Sequence, residues 1–282
     1  MLSYRHAFHA GNHADVLKHC LLVAILRHMN KKAKPWWYVD SHAGAGIYDL
    51  HSEYARKLDE FQTGIGRLWQ RNDLPELLAD YLDQVRKLNA DGALRLYPGS
   101  PWLARQLMRR DDQLRLFELH STDAEMLRHT FSEYSHHIKV EAVDGFDGLT
   151  AVLPPQPRRG LVLIDPSYEL KEDYRQVPRA IKDALDRFAT GTYVIWYPQL
   201  QRDEARQFPE RLKRLPVKAW LDVSLTIRGP SADGLGMHGS GLFIINPPWQ
   251  LAAQLTTVMP YLVDLLGQDA NAGYRLEQRE NG

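Results

Sequence analysis

The sequence predicts an α/β fold: a mostly parallel sheet with helices on both faces. Three observations carry this. Leu161, Val162, Leu163 and Ile164 are four branched aliphatics in a row, the pattern of a strand buried on both faces. The aromatic and β-branched run Trp36-Trp37-Tyr38-Val39-Asp40 leads into Ser41-His42-Ala43-Gly44-Ala45-Gly46, a glycine turn that lets backbone approach a ligand. Strand and helix patterns then alternate, and Asp40, Glu118, Asp144 and Asp165 each close a strand. Ligands of open α/β sheets sit outside the carboxyl ends of strands, so four acids in that register predict one polar rim.

The elements follow in order. Asn12 is placed to cap a helix over 14–29, with Val16, Leu17, Cys20, Leu21, Ala24 and Ile25 on one face and Lys18 and His19 off it. Pro35 ends it before the first strand. Residues 47–97 interrupt the alternation and are too long for a loop, so they read as a helical insert, with helices over 52–70 and 74–89. Tyr97-Pro98-Gly99-Ser100-Pro101 closes the insert, and Ser100 is placed to cap the next helix. Strands at 114–119 and 138–143 follow, then a helix over 146–153 and the strand at 161–164. A helix over 174–188, strands at 191–198, 217–227 and 241–245, and a helix over 251–265 complete the series, and 268–282 reads as frayed. The domain is thus 1–46 with 98–282, residues 1–13 forming an arm over the site, and 47–97 an insert subdomain.

Composition bounds the function. The 282 residues are 44% hydrophobic and 25% charged, enough for one large domain or a domain with an insert. Lys+Arg and Asp+Glu are 35 each, so no global field favours nucleic acid, and such binding must rest on a local patch. Lys31, Lys32, Lys34, Arg158 and Arg159 are the basic candidates for RNA backbone contact, or a solvated face. The lone Cys20 cannot form an intrachain disulfide and suits a reducing compartment. Met1 to His6 lacks a signal-peptide pattern, and the apolar run over 20–26 is too short to span a bilayer. The expectation is a soluble cytoplasmic protein without a membrane partner. The histidines before position 20 invite a metal reading. His9 and His13 have ligand spacing only if both are helical, and no Cys or acidic set accompanies them, so no metal is expected.

The order of motifs resembles that of S-adenosylmethionine-dependent amino methyltransferases: strand, Gly-Ala-Gly turn, acid-ended second strand, Asp-Gly, then Asp-Pro-x-Tyr. More closely, Leu2-Ser3-Tyr4-Arg5-His6, the run from His9 through Asn12, Asp15 and Lys18 to His19, His42-Ala43-Gly44-Ala45-Gly46, Tyr97-Pro98-Gly99-Ser100-Pro101 and Asn246-Pro247-Pro248-Trp249 resemble the RlmJ family. Those enzymes methylate the exocyclic amine of an adenine in large-subunit (23S) ribosomal RNA. The resemblance implies a Rossmann-like class I methyltransferase, with a seven-stranded sheet and a helical insert after the first strand. It implies S-adenosylmethionine contacts at His19, His42, Gly44, Ser100, Glu118, Asp144 and Gly145. Asp165, Pro166 and Tyr168 would be catalytic, the tyrosine stacking on the base, and Tyr4, His6 and Lys18 would reach the target. The partner is ribosomal RNA, protein-free or early in assembly, and the protein a monomer. One departure is Ser167, where the family pattern has a second proline; it restores a backbone donor and loosens the turn.

Other readings stay open on the residues alone. A DNA adenine methyltransferase fits the same amine-binding motif. A non-catalytic nucleic-acid-binding protein, for example in the use of external DNA, or a histidine-metal hydrolase would lack cofactor binding. Asn246-Pro247-Pro248-Trp249 is a second amine-binding match, ranked lower because it follows an antiparallel last strand; a rigid wall is its expected role.

Overall fold

A computed structural model describes residues 5–280. In chain order the first elements are α1 (His13–Asn30), β1 (Trp37–Asp40), β2 (Ile47–Asp49), α2 (Glu53–Leu58), α3 (Ile65–Trp69), α4 (Glu76–Leu88), β3 (Leu96–Pro98) and α5 (Ser100–Leu107). Next come β4 (Gln113–Phe117), α6 (Ser121–Thr130), β5 (Ile138–Glu141), α7 (Gly145–Val152), β6 (Gly160–Ile164) and α8 (Asp173–Arg187). The chain ends with β7 (Thr192–Gln199), α9 (Asp203–Lys213), β8 (Trp220–Thr226), β9 (Gly239–Ile245), α10 (Leu251–Leu266) and β10 (Gly273–Arg279).

The main sheet runs β10-β8-β9-β7-β6-β1-β4-β5. β5, β4, β1, β6 and β7 are parallel; β9 is antiparallel to β7 and β8. The order reverses between β1 and β6, so their carboxyl ends frame the crevice where doubly wound sheets bind ligands. Side chains alternate along each strand. Tyr38, Leu161, Leu163 and Val194 face the cluster under α1, α5 and α10; Val39, Val162, Ile164 and Ile195 face the one under α7, α8 and α9.

The sheet has eight strands rather than seven. The segment expected to fray forms β10, antiparallel to β8. It is an edge strand with no apolar run, and polar partners hold its register: Arg275 pairs with Asp222 at 3.0 Å and Glu277 with Lys213 at 2.6 Å. The helix expected over 52–70 is broken at Asp59, whose φ is +54°, and at Gly64, where a Cβ would stand 2.1 Å from the Gly11 carbonyl oxygen. α9 had no counterpart in the sequence reading.

Antiparallel β2 and β3 close the ends of the insert. Leu78, Tyr81, Leu82 and Val85 of α4 share one cluster with Leu21, Leu22 and Leu26 of α1. The insert therefore covers the side of α1 turned away from the sheet. The one-sided stripe read from the sequence is corrected: from His13 to Val23 α1 is buried on every face, Lys18 and His19 included. Asn12 does cap it, accepting from the Ala14 and Asp15 amides.

Candidate active site

A cleft of about 510 Å³ opens beside the carboxyl ends of β6, β1 and β4 and the start of α1. His6, Lys18, His19, His42, Gly44, Ser100, Glu118, Asp144, Gly145, Asp165, Pro166 and Tyr168 all line it. Tyr4 lies outside the described residues.

On one side the glycine turn after β1 meets the end of β4. The Gly44 amide donates to Glu118 Oε2 and the His120 amide to Oε1, both at 2.8 Å. Burial raises the Glu118 carboxyl above the ordinary range against these two donors. Gly44 has φ +61°, a conformation costly for residues with a Cβ. Asp144, exposed at the mouth, caps α7 by accepting from the Phe146 amide at 2.8 Å. Gly145 lets that helix approach the turn: a Cβ there would stand 1.8 Å from the Ser41 carbonyl oxygen. His42 lies edge-on to Phe146, with Nδ1 2.8 Å from Ser41 Oγ. Burial lowers its pKa to about 4, so the ring is neutral at physiological pH.

Asp40 departs from the four-acid rim. It is fully buried; Oδ2 accepts from Tyr38 at 2.6 Å and Ser100 at 2.7 Å, and Oδ1 from the His42 amide. Burial raises its pKa to about 6 despite these donors. Ser100 is likewise not the cap of its helix. Gly99 holds the cap position, and the hydroxyl is turned to Asp40.

On the other side, α1 and the turn after β6 form a charged chain. Lys18 Nζ lies 2.5 Å from Asp165 Oδ2 and 3.0 Å from Asp15 Oδ1. His6 Nε2 is 2.9 Å from Asp15 Oδ2, which also accepts from the Gly11 amide. Burial opposes charge on Lys18, but the two carboxylates raise its pKa above that of an ordinary lysine. Asp15 falls well below the carboxylate range: burial pushes it up, and His6, Lys18 and His19 together outweigh that. Asp165 is raised, because burial exceeds the help of Lys18.

His19 is buried, with Nδ1 2.8 Å from the Tyr97 hydroxyl, which meets Tyr81 at 2.8 Å. Burial lowers its pKa to about 3. The unfolded chain takes up a proton near pH 6.5 that the folded chain refuses, so this contribution to stability is complete above pH 6.5 and is lost as pH falls toward 3. The stability gap between the unmutated protein and His19→Gln should narrow by about 1.4 kcal/mol per pH unit below 6.5. Urea titrations at pH 7 and pH 5 measure it, and a constant gap would show that the ring is not held neutral.

Tyr168 requires a correction. Its ring is 1% exposed and packs on Tyr174, Trp196 and Phe208, while its hydroxyl donates to the Trp196 carbonyl at 2.8 Å. It anchors the turn and offers no open plate for a base. Its backbone has φ +52°, and rings from α8, β7 and α9 close over the side chain. Asn246-Pro247-Pro248-Trp249 is not part of the cleft wall. Antiparallel β9 ends beside the start of β7, at the opposite rim.

The sequence gives Asp15, Glu60 and Tyr97 no role in the site. Asp15 in a first helical turn reads as an ordinary charge–dipole partner, and nothing local signals its burial. Glu60 accepts from Asn12 Nδ2 at 2.9 Å and lies 3.0 Å from His9 Nδ1, a contact across the insert that spacing cannot announce. Among the described residues no group of three or more His, Cys, Asp or Glu is arranged to hold a metal, and no helix is long and apolar enough to cross a membrane.

The crystal structure of protein LPL1258 from Legionella pneumophila matches with a TM-score of 0.88 and 36% identity, covering 95% of this chain and 98% of that one. Fold and cleft together are those of a Rossmann-like methyltransferase, an enzyme that takes its methyl group from S-adenosylmethionine. The model of the family described as "RsmJ: Ribosomal RNA large subunit methyltransferase D, RlmJ" matches residues 33–279. "Ribosomal RNA large subunit methyltransferase J" of Haemophilus influenzae is 45% identical over 278 residues, 98% of each chain. Its namesake in Escherichia coli is 47% identical over 262 residues, 93% of each. The chain belongs to the RlmJ family of ribosomal RNA large subunit methyltransferases. These matches do not favour the DNA-directed or non-catalytic readings.

Proposed function

We infer that this protein transfers a methyl group from S-adenosylmethionine to the exocyclic amine of an adenine in 23S ribosomal RNA. The observation that carries this reading is Asp165 at the end of β6. Lys18 occupies its Oδ2, and Oδ1 has no protein hydrogen bond among the described residues.

The cleft suits the cofactor. Its volume falls within the range of small-molecule sites. Glu118 keeps lone pairs for vicinal hydroxyls, the Gly145 contact leaves no room for a Cβ, and His19 Nε2 is buried with no hydrogen-bond partner among the described residues. Glu118, Asp144, Gly44, Gly145, His19, His42 and Ser100 would hold it. When bound, it supplies an electrophilic methyl group on a sulfonium. Glu118→Ala should weaken its binding about 10- to 100-fold, the worth of a charge-assisted hydrogen bond. Titration calorimetry measures this, and unchanged affinity would remove Glu118 from the cofactor site.

The chain's own residues do the rest. An adenine amine is a weak nucleophile because its lone pair is delocalised into the ring. Asp165, accepting from one amine N–H, favours a pyramidal nitrogen whose lone pair is available. The Pro166 carbonyl accepts from the second N–H. Lys18 opposes the upward push of burial on the Asp165 carboxyl and is itself held by Asp15. The proton lost from the methylated amine passes first to Asp165. His6, held on Asp15, would reach the incoming base, and Tyr4, outside the described residues, keeps only the role that the resemblance implies. The base must be unpaired or extruded to enter.

In this reading the substrate is rRNA that is protein-free or early in assembly, and the enzyme is a cytoplasmic monomer. Residues 1–46 with 98–282 form the catalytic domain, and 47–97 brace α1. Mass-spectrometric mapping of methylated adenines in 23S rRNA from a deletion strain and its parent tests the function. One adenine should lose its methyl group in the deletion strain; identical maps would overturn the assignment.

A further inference from the structure

Residues the cleft does not use gather at the opposite rim. The loop 31–35 leads into β1, Arg158 and Arg159 precede β6, and Asn246 to Trp249 follow antiparallel β9, so topology puts all three at the amino ends of the parallel strands. Two arginines fasten the loop. Arg159 donates to the carbonyls of Lys34 at 2.6 Å and of Met29. Arg109 donates to those of Lys32 at 2.7 Å and Lys34 at 3.1 Å. The backbone is thereby held while Lys31, Lys32 and Lys34 stay exposed. Among the described residues none of these lysines, nor Arg158, has a carboxylate within 4.0 Å. Of the neighbouring acids, Asp112 is buried against Arg109 and only Asp111 is exposed.

Trp249 belongs to the same face. It is 80% exposed, the most exposed large hydrophobic side chain among the described residues. The turn that carries it is built: Asn246, at φ +52°, donates through Nδ2 to the carbonyls of Ala189 at 2.9 Å and Gly191 at 2.8 Å. The neighbouring Gln250 accepts from Lys31 Nζ at 3.0 Å, tying the tryptophan turn to the lysine loop. Burial and then Lys31, Arg159 and Lys32 lower the pKa of nearby His28, as a concentrated positive field requires.

We propose that this rim is a second RNA-contact surface, on which Lys31, Lys32, Lys34 and Arg158 take backbone phosphates and Trp249 stacks on an unpaired base. The proposal rests on the rRNA reading above. In a chain of zero net charge, unpaired cations beside an exposed indole on a fixed turn match a polyanion with π-faced bases. β6, five residues long, has the cleft at one end and Arg159 at the other, which sets the rims roughly 17 Å apart along the strand. The surface therefore serves long RNA and leaves a short target fragment untouched. It gives the enzyme affinity for large rRNA that the cleft alone lacks.

The test compares deproteinised 23S rRNA with the shortest fragment that the unmutated enzyme still methylates. In K31A/K32A/K34A, binding to 23S rRNA without cofactor should weaken at least about tenfold, and the slope of log affinity against log salt should fall by about 2 to 3. W249A should weaken it about tenfold and W249F largely restore it. Methylation of the short fragment should keep its kcat/KM in every variant, with thermal unfolding unchanged. Unaltered 23S rRNA binding, or equal losses on both RNAs, overturns the proposal and leaves the face to a protein partner. If the unmutated protein methylates no RNA, the functional reading falls by itself, and the binding and salt measurements still decide this surface.

Discussion

Asp165→Asn is expected to bind S-adenosylmethionine within about twofold of the unmutated affinity and to transfer methyl at least about a hundredfold more slowly. The substitution keeps the shape of the side chain but leaves one acceptor oxygen where the carboxylate has two. Lys18 Nζ, 2.5 Å from Oδ2, takes that oxygen. The amide then turns its own N–H₂ toward the incoming amine, which meets a donor where it needs an acceptor. Cofactor affinity survives because none of the groups assigned to the cofactor is hydrogen-bonded to Asp165, whose protein partner among the described residues is Lys18. Single-turnover methyl transfer beside equilibrium cofactor binding measures the split. Undiminished turnover would take Asp165 out of the mechanism.

Asp15→Asn carries the largest expected cost to the fold. Asp15 is 1% exposed and holds the Lys18 ammonium at 3.0 Å, His6 at 2.9 Å and the Gly11 amide at 2.9 Å. Removing its charge leaves a buried lysine with Asp165 alone. Breaking a buried ion pair in this way costs about 3–5 kcal/mol. Chemical denaturation should show a loss of that size, and turnover should fall with it, because Lys18 and His6 both lose their support. A loss under about 1 kcal/mol would mean that Asp15 does not organise the site.

Much of the cleft was legible in the chain because its signals are local. A run of aliphatics stopped by Asp165-Pro166 reads as a buried strand, Gly44 marks a turn at positive φ and Gly145 a close backbone approach. The errors share one cause, burial imposed by distant segments. Asp40 and Glu118 look alike as strand-ending acids. Only Asp40 is enclosed, because Tyr38 and Ser100 close over it. Tyr168 looks like an open plate until Tyr174 and Phe208, from helices beyond the turn, pack on it. β10 escaped notice because an edge strand needs no apolar alternation.

By itself the sequence determined the α/β class, the order of the parallel strands and their turns, the family, and most of the side chains that gather at one rim. Those properties follow from periodicity, punctuation and motif, each contained within a few neighbouring residues. Only the tertiary structure decided what each gathered residue faces. It turned Tyr168 inward, enclosed Asp40, wrapped α1 on both sides, and joined Asp15, Lys18 and Asp165 into one charged chain across 147 residues of sequence separation. The physical reason is that burial and ion pairing depend on groups brought close by the fold, and spacing along the chain does not record them.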